Sequence, residues 1–258
     1  MWPFTRRRVL ESGLDRLPLC HLPAPLDLSK ARRVLVFAPH PDDESLGCGG
    51  TLALLASRSQ VKVVLLTDGG GAGGLPEGSD RLRQEEFKAA LVQLGVDHFE
   101  LLGYPDGAFA PDPMIEARLL ELIMTYQPDW VFLPSPLDYH RDHVRISVML
   151  EPLCRRCKTV THLLFYEIWA PVPATHVVDI TEVVGMKRSA ISQHRTALSC
   201  GDYLGAVEGL NRYRGLYLGH DRLAEAFWVE PVGQRSLFRR LREFSLSLLG
   251  QMAGESGG

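Results

Sequence analysis

With 258 residues, 45% of them hydrophobic, the chain is long enough to bury one substantial core and of a length that single α/β domains often reach. A formal net charge of -3 and a pI near 6.3 exclude the global basic signature of a nucleic-acid-binding protein. Five scattered cysteines, Cys20, Cys48, Cys154, Cys157 and Cys200, are too few and odd in number for a disulfide framework and suit a reducing compartment. No stretch approaches the ~18 consecutive apolar residues of a membrane span. The arginine-rich start at Arg6-Arg7-Arg8 is interrupted by Glu11, Asp15 and Arg16 before any apolar export segment can form. The expectation is a soluble, cytoplasmic protein.

In chain order, residues 1–31 read as an irregular, proline-containing lead-in, 32–232 as one domain, and 233–258 as an amphipathic helix with a frayed tail. Arg33 to Phe37 is apolar without alternation, as a strand buried on both faces must be. It runs into Ala38-Pro39-His40-Pro41-Asp42-Asp43-Glu44, and Gly47-Cys48-Gly49-Gly50 opens a helix to about Ser57. Val61 to Leu66 predicts a second strand, followed by a glycine-rich loop over 69–78. A helix capped by Ser79 or Asp80 then runs to Leu94, with Gly95 as its stop. Phe99 to Leu102 predicts a strand ending in Tyr104-Pro105-Asp106-Gly107, and Pro113 to Tyr126 a helix. Trp130 to Leu133 predicts a fourth strand, which leads into Asp138-Tyr139-His140-Arg141-Asp142-His143. A helix to Cys154, strands at Leu163 to Tyr166 and Val177 to Ile180, and a long helix from Glu182 to Ala197 follow. This alternation predicts an α/β fold, a Rossmann-like, mostly parallel sheet with helices on both faces.

Two polar clusters carry the chemistry. His40, Asp42, Asp43 and Glu44 follow one strand, and His140, Asp142 and His143 follow another. Polar loops that merely cap helices would account for either cluster alone, and that plain reading is kept for His21, His98, His162, His176 and His220. Ligands of open α/β sheets bind at the carboxyl ends of strands, near the point where strand order reverses, so both loops can meet there. His40, Asp43 and His143 would then supply two imidazoles and a carboxylate. Catalytic zinc sites use three such ligands and leave a fourth position for water, whose pKa falls to about 7. Iron(II) suits the same donors. Asp42 is the candidate general base, His140 the group that stabilises the oxyanion and protonates the leaving amine, and Asp142 the carboxylate that orients His140.

At these residues the chain resembles the PIG-L/LmbE-like family of zinc-dependent de-N-acetylases, with its A-H-P-D-D-E and H-x-D-H motifs. One proline-type step is inserted before His40, and the second motif is His140-Arg141-Asp142-His143. The resemblance implies zinc on His40, Asp43 and His143, Asp42 as base and His140 as electrostatic partner. It continues through Arg83-Gln84-Glu85-Glu86, Tyr104-Pro105-Asp106-Gly107, Tyr166-Glu167, Asp179-Ile180-Thr181 and Lys187. It implies hydrolysis of the acetamide of an N-acetylglucosamine-type conjugate, with Arg83 and Asp106 as candidate substrate contacts. For Arg83 a solvated helix arginine, or an ion pair with Glu85 or Glu86, stands as the alternative. The family's histidine followed by Ser-Gln reads His194-Arg195-Thr196-Ala197 here, a departure from the pattern.

Three rivals stand against this reading. A dinucleotide-binding module needs glycines directly after its strand, and here a charged loop intervenes. Gly254-Glu255-Ser256-Gly257-Gly258 satisfies G-x-S-x-G but sits at the terminus without strand–turn–helix context. A catalytically silent family member would have lost a ligand or the base, and neither is missing. Finally, Leu237, Leu241, Phe244 and Leu248 recur at helical spacing among arginines, and Trp2 and Phe4 precede Arg6-Arg7-Arg8. These segments suit either packing on the domain or weak contact with an anionic membrane surface.

Overall fold

The computed structural model of the chain describes residues 22–233, apart from 72–74 and 76–77. Both terminal basic-aromatic segments and the Gly254–Gly258 motif lie outside the described residues. Eight strands form one sheet: β1 (Ala24–Pro25), β2 (Arg33–Ala38), β3 (Gln60–Thr67), β4 (His98–Tyr104), β5 (Trp130–Pro134), β6 (His162–Tyr166), β7 (His176–Asp179) and β8 (Ala224–Pro231). Their order is β1-β7-β8-β6-β5-β2-β3-β4, parallel throughout except that β8 runs antiparallel to β6 and β7. The helices are α1 (Asp43–Ala56), α2 (Ser79–Leu94), α3 (Pro113–Tyr126), α4 (Arg141–Arg156), α5 (Val184–Ile191), α6 (Arg195–Leu198) and α7 (Tyr203–Gly215).

Side chains of β2 alternate between two cores, as the pleat requires. Val34, Val36 and Ala38 pack with α1, α2 and α5 through Leu52, Phe87, Leu91 and Ala190. Leu35 and Phe37 pack on the other face with α3 and α4 through Leu119, Ile123, Ile146 and Leu150. From β2 the chain winds outward through β3 to β4, then crosses back to β5 on the other side of β2. Strand order therefore reverses between β2 and β5, and the loops after these two strands are the ones carrying His40 and His140. His98, His162 and His176 head β4, β6 and β7 and are thus at strand starts, away from those loops.

Two elements differ from the sequence expectation. The helix expected from Gly47 begins at Asp43, because Asp42 turns the chain at φ 151° and the amide of Leu46 bonds back to the Asp42 carbonyl (2.9 Å). Asp43 and Glu44 consequently occupy the first helical turn, where the helix dipole favours anions. The long helix expected over Glu182 to Ala197 is broken into a 3-10 turn (Thr181–Val183), α5 and α6, with Ser192, Gln193 and His194 forming the break. The strand β8 and helix α7 were not expected from the sequence.

α1 is itself kinked, since Cys48 has φ -142° and ψ 17°. A kink frees backbone N–H groups in the following turn, and here a buried carboxylate from β8 receives them. Glu225 accepts from the amides of Gly50 (2.8 Å) and Thr51 (2.7 Å), the Thr51 hydroxyl (2.6 Å) and Lys187 Nζ (2.5 Å). Lys187 also donates to the Leu46 carbonyl on the other side of the kink (2.9 Å). The glycines around Cys48 permit close packing: a Cβ on Gly47 would lie 2.4 Å from Tyr166 Cδ2, and one on Gly50 2.7 Å from Ile180 Cγ2. Their purpose is contact between helix and sheet, which removes the ground for a dinucleotide cradle. Gly47→Ala is therefore expected to cost about 1–3 kcal/mol by overpacking, read as a lower denaturant midpoint; an unchanged midpoint would contradict this packing role.

Candidate active site

The two loops meet at the carboxyl end of the sheet. His40 Nδ1, Asp43 Oδ2 and His143 Nε2 form a triangle with every edge 3.1 Å. All three residues are buried. Two imidazole nitrogens and a carboxylate oxygen aimed at one another repel unless positive charge lies among them. The side chains titrate accordingly. Burial opposes charge on His143, but Asp43 and Asp138 outweigh it and raise its pKa to about 9. His40 is likewise raised, against burial, by Asp106, Asp142 and Asp43. Despite burial, Asp43 is held far below the ordinary carboxylate range by His143 and His40. Three tetrahedral ligands at about 2.0–2.1 Å from a divalent ion stand about 3.3 Å apart, so the observed donors fit such an ion in charge and spacing.

Two wider donor groups share His40: one nitrogen each of His40, His140 and His143, and single donor atoms of His40, Asp106 and Asp142, each within 4.8 Å of one another. The carboxylates of the second group lie behind His40, with Nε2 3.0 Å from Asp106 Oδ1 and 3.6 Å from Asp142 Oδ2. They fix that nitrogen as the donor and leave Nδ1 facing the triangle. Asp138 Oδ1 does the same behind His143, 3.4 Å from Nδ1, and also accepts the amide of His140 (2.8 Å).

Asp42 faces the same cavity of about 310 Å³, along with His40, Asp43, Arg83, Asp106 and His140. Burial and the neighbouring Asp43 charge raise its pKa to about 6. Its φ of 151° is a strained backbone for a non-glycine residue, the sort of strain that clusters at functional sites. His140 stacks edge-on to His40 (4.5 Å) and lies beside His143 (4.7 Å). Burial and the two neighbouring imidazoles lower its pKa. Its Nδ1 accepts the amide of Asp142 (3.3 Å), so the neutral ring carries its proton on Nε2. The Asp142 carboxylate lies elsewhere than the sequence expectation put it. It is fully buried, accepts the amide of Gly107 (2.8 Å) and faces His40, while His140 is held by backbone.

A profile of the family described as "PIG-L: GlcNAc-PI de-N-acetylase" matches residues 35–153, the span that contains all of these residues. Over that span the chain is similar to the PIG-L/LmbE-like deacetylases. It is 29% identical over 186 residues to the diacetylchitobiose deacetylase of Thermococcus kodakarensis, covering 64% of this chain and 70% of that protein. Its fold matches the N,N'-diacetylchitobiose deacetylase from Pyrococcus horikoshii with a TM-score of 0.71 and 23% identity, over 93% of this chain and 98% of the other. It also matches GalB, the 4-carboxy-2-hydroxymuconate hydratase of Pseudomonas putida, with a TM-score of 0.63 and 23% identity, over 80% and 98% of the two chains. At such identities the likeness shows the fold alone, and the reaction must be argued from the site.

Within the span similar to that family, Arg83 is no solvated helix residue. It is 5% exposed on α2 and points at the cavity floor. It donates to the Gly69 carbonyl (2.7 Å) and stands 3.3 Å from Asp42 Oδ2 and 3.5 Å from Asp106 Oδ2. Asp106, against its burial, is held below the ordinary carboxylate range by His40 and Arg83. Glu86 accepts from the amide and hydroxyl of Thr196 and so ties α6 to α2. His194, at the break before α6, is buried with Nε2 3.1 Å from Ser45 Oγ and 3.4 Å from Glu44 Oε1. Sequence reasoning gave no role to Asp138 or His194. The signal for Asp138 was its place two residues before His140, and for His194 the Ser-Gln pair that precedes it. Among the described residues no helix is long and apolar enough to cross a membrane.

Proposed function

We propose that this protein is a metal-dependent amidohydrolase that removes the acetyl group from an N-acetylglucosamine-type sugar within a larger conjugate. The observation that carries the reading is the triangle of His40, Asp43 and His143 set beside the partly exposed carboxylate of Asp42, on a strained backbone. The deacetylase name of the Thermococcus relative supports the acetamide as the bond cleaved. His40, Asp43 and His143 would hold zinc, or iron(II), and Asp106, Asp142 and Asp138 keep the two imidazoles in the ligating tautomer. Such an ion supplies Lewis-acid chemistry, acidifying water and polarising the amide carbonyl.

The protein's own groups account for the proton traffic. Asp42 takes a proton from the attacking water, and its pKa of about 6 lets it return that proton to the departing amine. His140 offers Nε2–H to the oxygen that becomes negative, as an oxyanion-hole donor. This assigns the leaving-group proton to Asp42 rather than to a protonated His140, in keeping with the lowered pKa of His140 and with its Nδ1 accepting a backbone amide rather than facing a carboxylate. Arg83 and Asp106 are positioned to bind the sugar at the cavity floor.

The test is release of amine from a panel of N-acetylglucosamine conjugates, with and without chelator. Activity abolished by chelator and restored by a divalent ion is the expected result; chelator-insensitive release would overturn the scheme. His143→Ala and His40→Ala are each expected to lose bound metal by elemental analysis. Full metal content in either would remove that residue from the ligand set.

A further inference from the structure

A second groove opens directly from the catalytic cavity, and its chemistry is different. The cavity floor is charged, whereas the groove, of about 120 Å³, shares Leu46, Ile168, Trp169 and Tyr203 with the cavity and continues along α7. On α7, Tyr203, Ala206, Val207 and Leu210 fall at i, i+3, i+4 and i+7 and make one helical face. That face runs on toward the helix's buried end at Asn211 and Arg214, while Tyr203, Val207 and Leu210 are only half-buried and Ala206 is exposed. The charged residue at the groove, Glu167, is already committed. It forms a bidentate pair with Arg214 and accepts the amide of Val172 (2.8 Å). Trp169, 49% exposed, stands T-shaped to Tyr203 with ring centroids 5.6 Å apart. Its amide is held by Asp138 Oδ2 (3.1 Å), the residue whose other oxygen faces His143. The groove wall is therefore braced by the loop that carries the catalytic histidines.

Building on the deacetylase reading, we infer that this groove is the subsite for the substituent attached to the N-acetylated sugar, and that it selects an apolar aryl or alkyl substituent. A second sugar or a polyol would bring several hydroxyls, each needing a partner when desolvated. Apart from the Glu167 carboxylate, which is already paired, the side chains lining the groove offer only the Tyr203 hydroxyl and the Trp169 indole N–H. Its volume approaches the ~150 Å³ of an apolar cavity that accepts one benzene ring. The occupant follows from continuity: a conjugate whose acetamide lies between Asp42 and His140 must place its remainder along an opening of the same cavity.

The experiment compares kcat/KM for phenyl, hexyl and methyl glycosides of N-acetylglucosamine, in both anomers, with that for N,N'-diacetylchitobiose. The inference expects the phenyl or hexyl conjugate to exceed the methyl glycoside by at least about tenfold, the scale of apolar-pocket discrimination, and diacetylchitobiose to gain nothing over methyl. Val207→Asn and, independently, Leu210→Asn are expected to bring the phenyl-to-methyl ratio close to one. Equal rates for phenyl, hexyl and methyl glycosides, a preference for diacetylchitobiose, or an unchanged ratio in both variants would overturn the inference while leaving the deacetylase reading intact. Failure to release amine from any member of the panel would overturn both.

Discussion

Asp42→Asn is expected to keep its metal and lose about 10²–10⁴-fold in kcat, the usual contribution of a positioned general base. The substitution is close to isosteric and leaves the triangle of His40, Asp43 and His143 untouched, so elemental analysis should return the wild-type metal content. It removes the carboxylate to which the general-base role is assigned. The same change should not destabilise the fold. Asp42 has a backbone at φ 151°, and asparagine, with the same Cβ and branching, meets the same steric demand there as aspartate. Its carboxylate is largely enclosed beside Asp43 and gains only partial relief from Arg83. Arg83 keeps its bond to the Gly69 carbonyl when that charge is removed. A thermal midpoint equal to or above wild type, with turnover nearly lost, would mark Asp42 as a residue held for chemistry at a cost in stability. Turnover within tenfold of wild type would remove the general-base role.

The largest effect on stability should come from Glu225→Ala. Removing one partner of a buried ion pair costs about 3–5 kcal/mol, because the other charge stays buried without compensation. Here the loss is compounded, since Glu225 also receives the Gly50 and Thr51 amides freed by the kink at Cys48. Lys187 would be left with the Leu46 carbonyl. Equilibrium denaturation should show the drop, and the paired replacement Glu225→Leu with Lys187→Met should recover part of it by removing both charges together. If the single and paired variants are equally unstable, the ion pair is not what Glu225 contributes. Because α1 begins with Asp43, a looser kink should also weaken metal retention, which the two variants would report in parallel.

The readable part of the molecule was the part in which local pattern and tertiary environment agree. β2, β3 and β5 are buried on both faces and so are largely continuous apolar runs, and the loops that follow β2 and β5 hold the histidines and carboxylates at short spacing. β8 was hidden by its own charges. Glu225 and Glu230 flank Ala226, Phe227, Trp228 and Val229 and give the segment the look of an exposed stretch, yet Lys187 and Arg155 meet them inside the protein. The long helix expected after β7 failed at Ser192-Gln193-His194, where the turn carries His194 inward to Ser45 and Glu44. Arg83 shows the limit on the side of the site. Its helix position is compatible with solvent, and only the fold of the loop at Gly69 and the turn at Asp42 reveals that it is enclosed. The role of Asp142 was legible as a charge near histidines, but which imidazole it faces depends on backbone geometry that spacing does not contain.

The antiparallel insertion of β8 has a bearing on the order in which the molecule can be made. β6 and β7 do not pair with each other; β8 lies between them, and β1 reaches the sheet through β7. A nascent chain that has emerged only as far as β6 can already pair β2 with β3 and β5, and so can bring His40, Asp43 and His143 together. The border formed by β1 and β7 must wait for residues 224–231, although β1 was synthesised first. Such non-local closure is slow relative to local winding, and domains emerge amino-terminus first. α7 lies directly before β8 in the chain, so the wall of the apolar groove joins the late half. The triangle of His40, Asp43 and His143 thus belongs to the part of the sheet that can pair first, and the apolar groove along α7 to the part that must wait for β8.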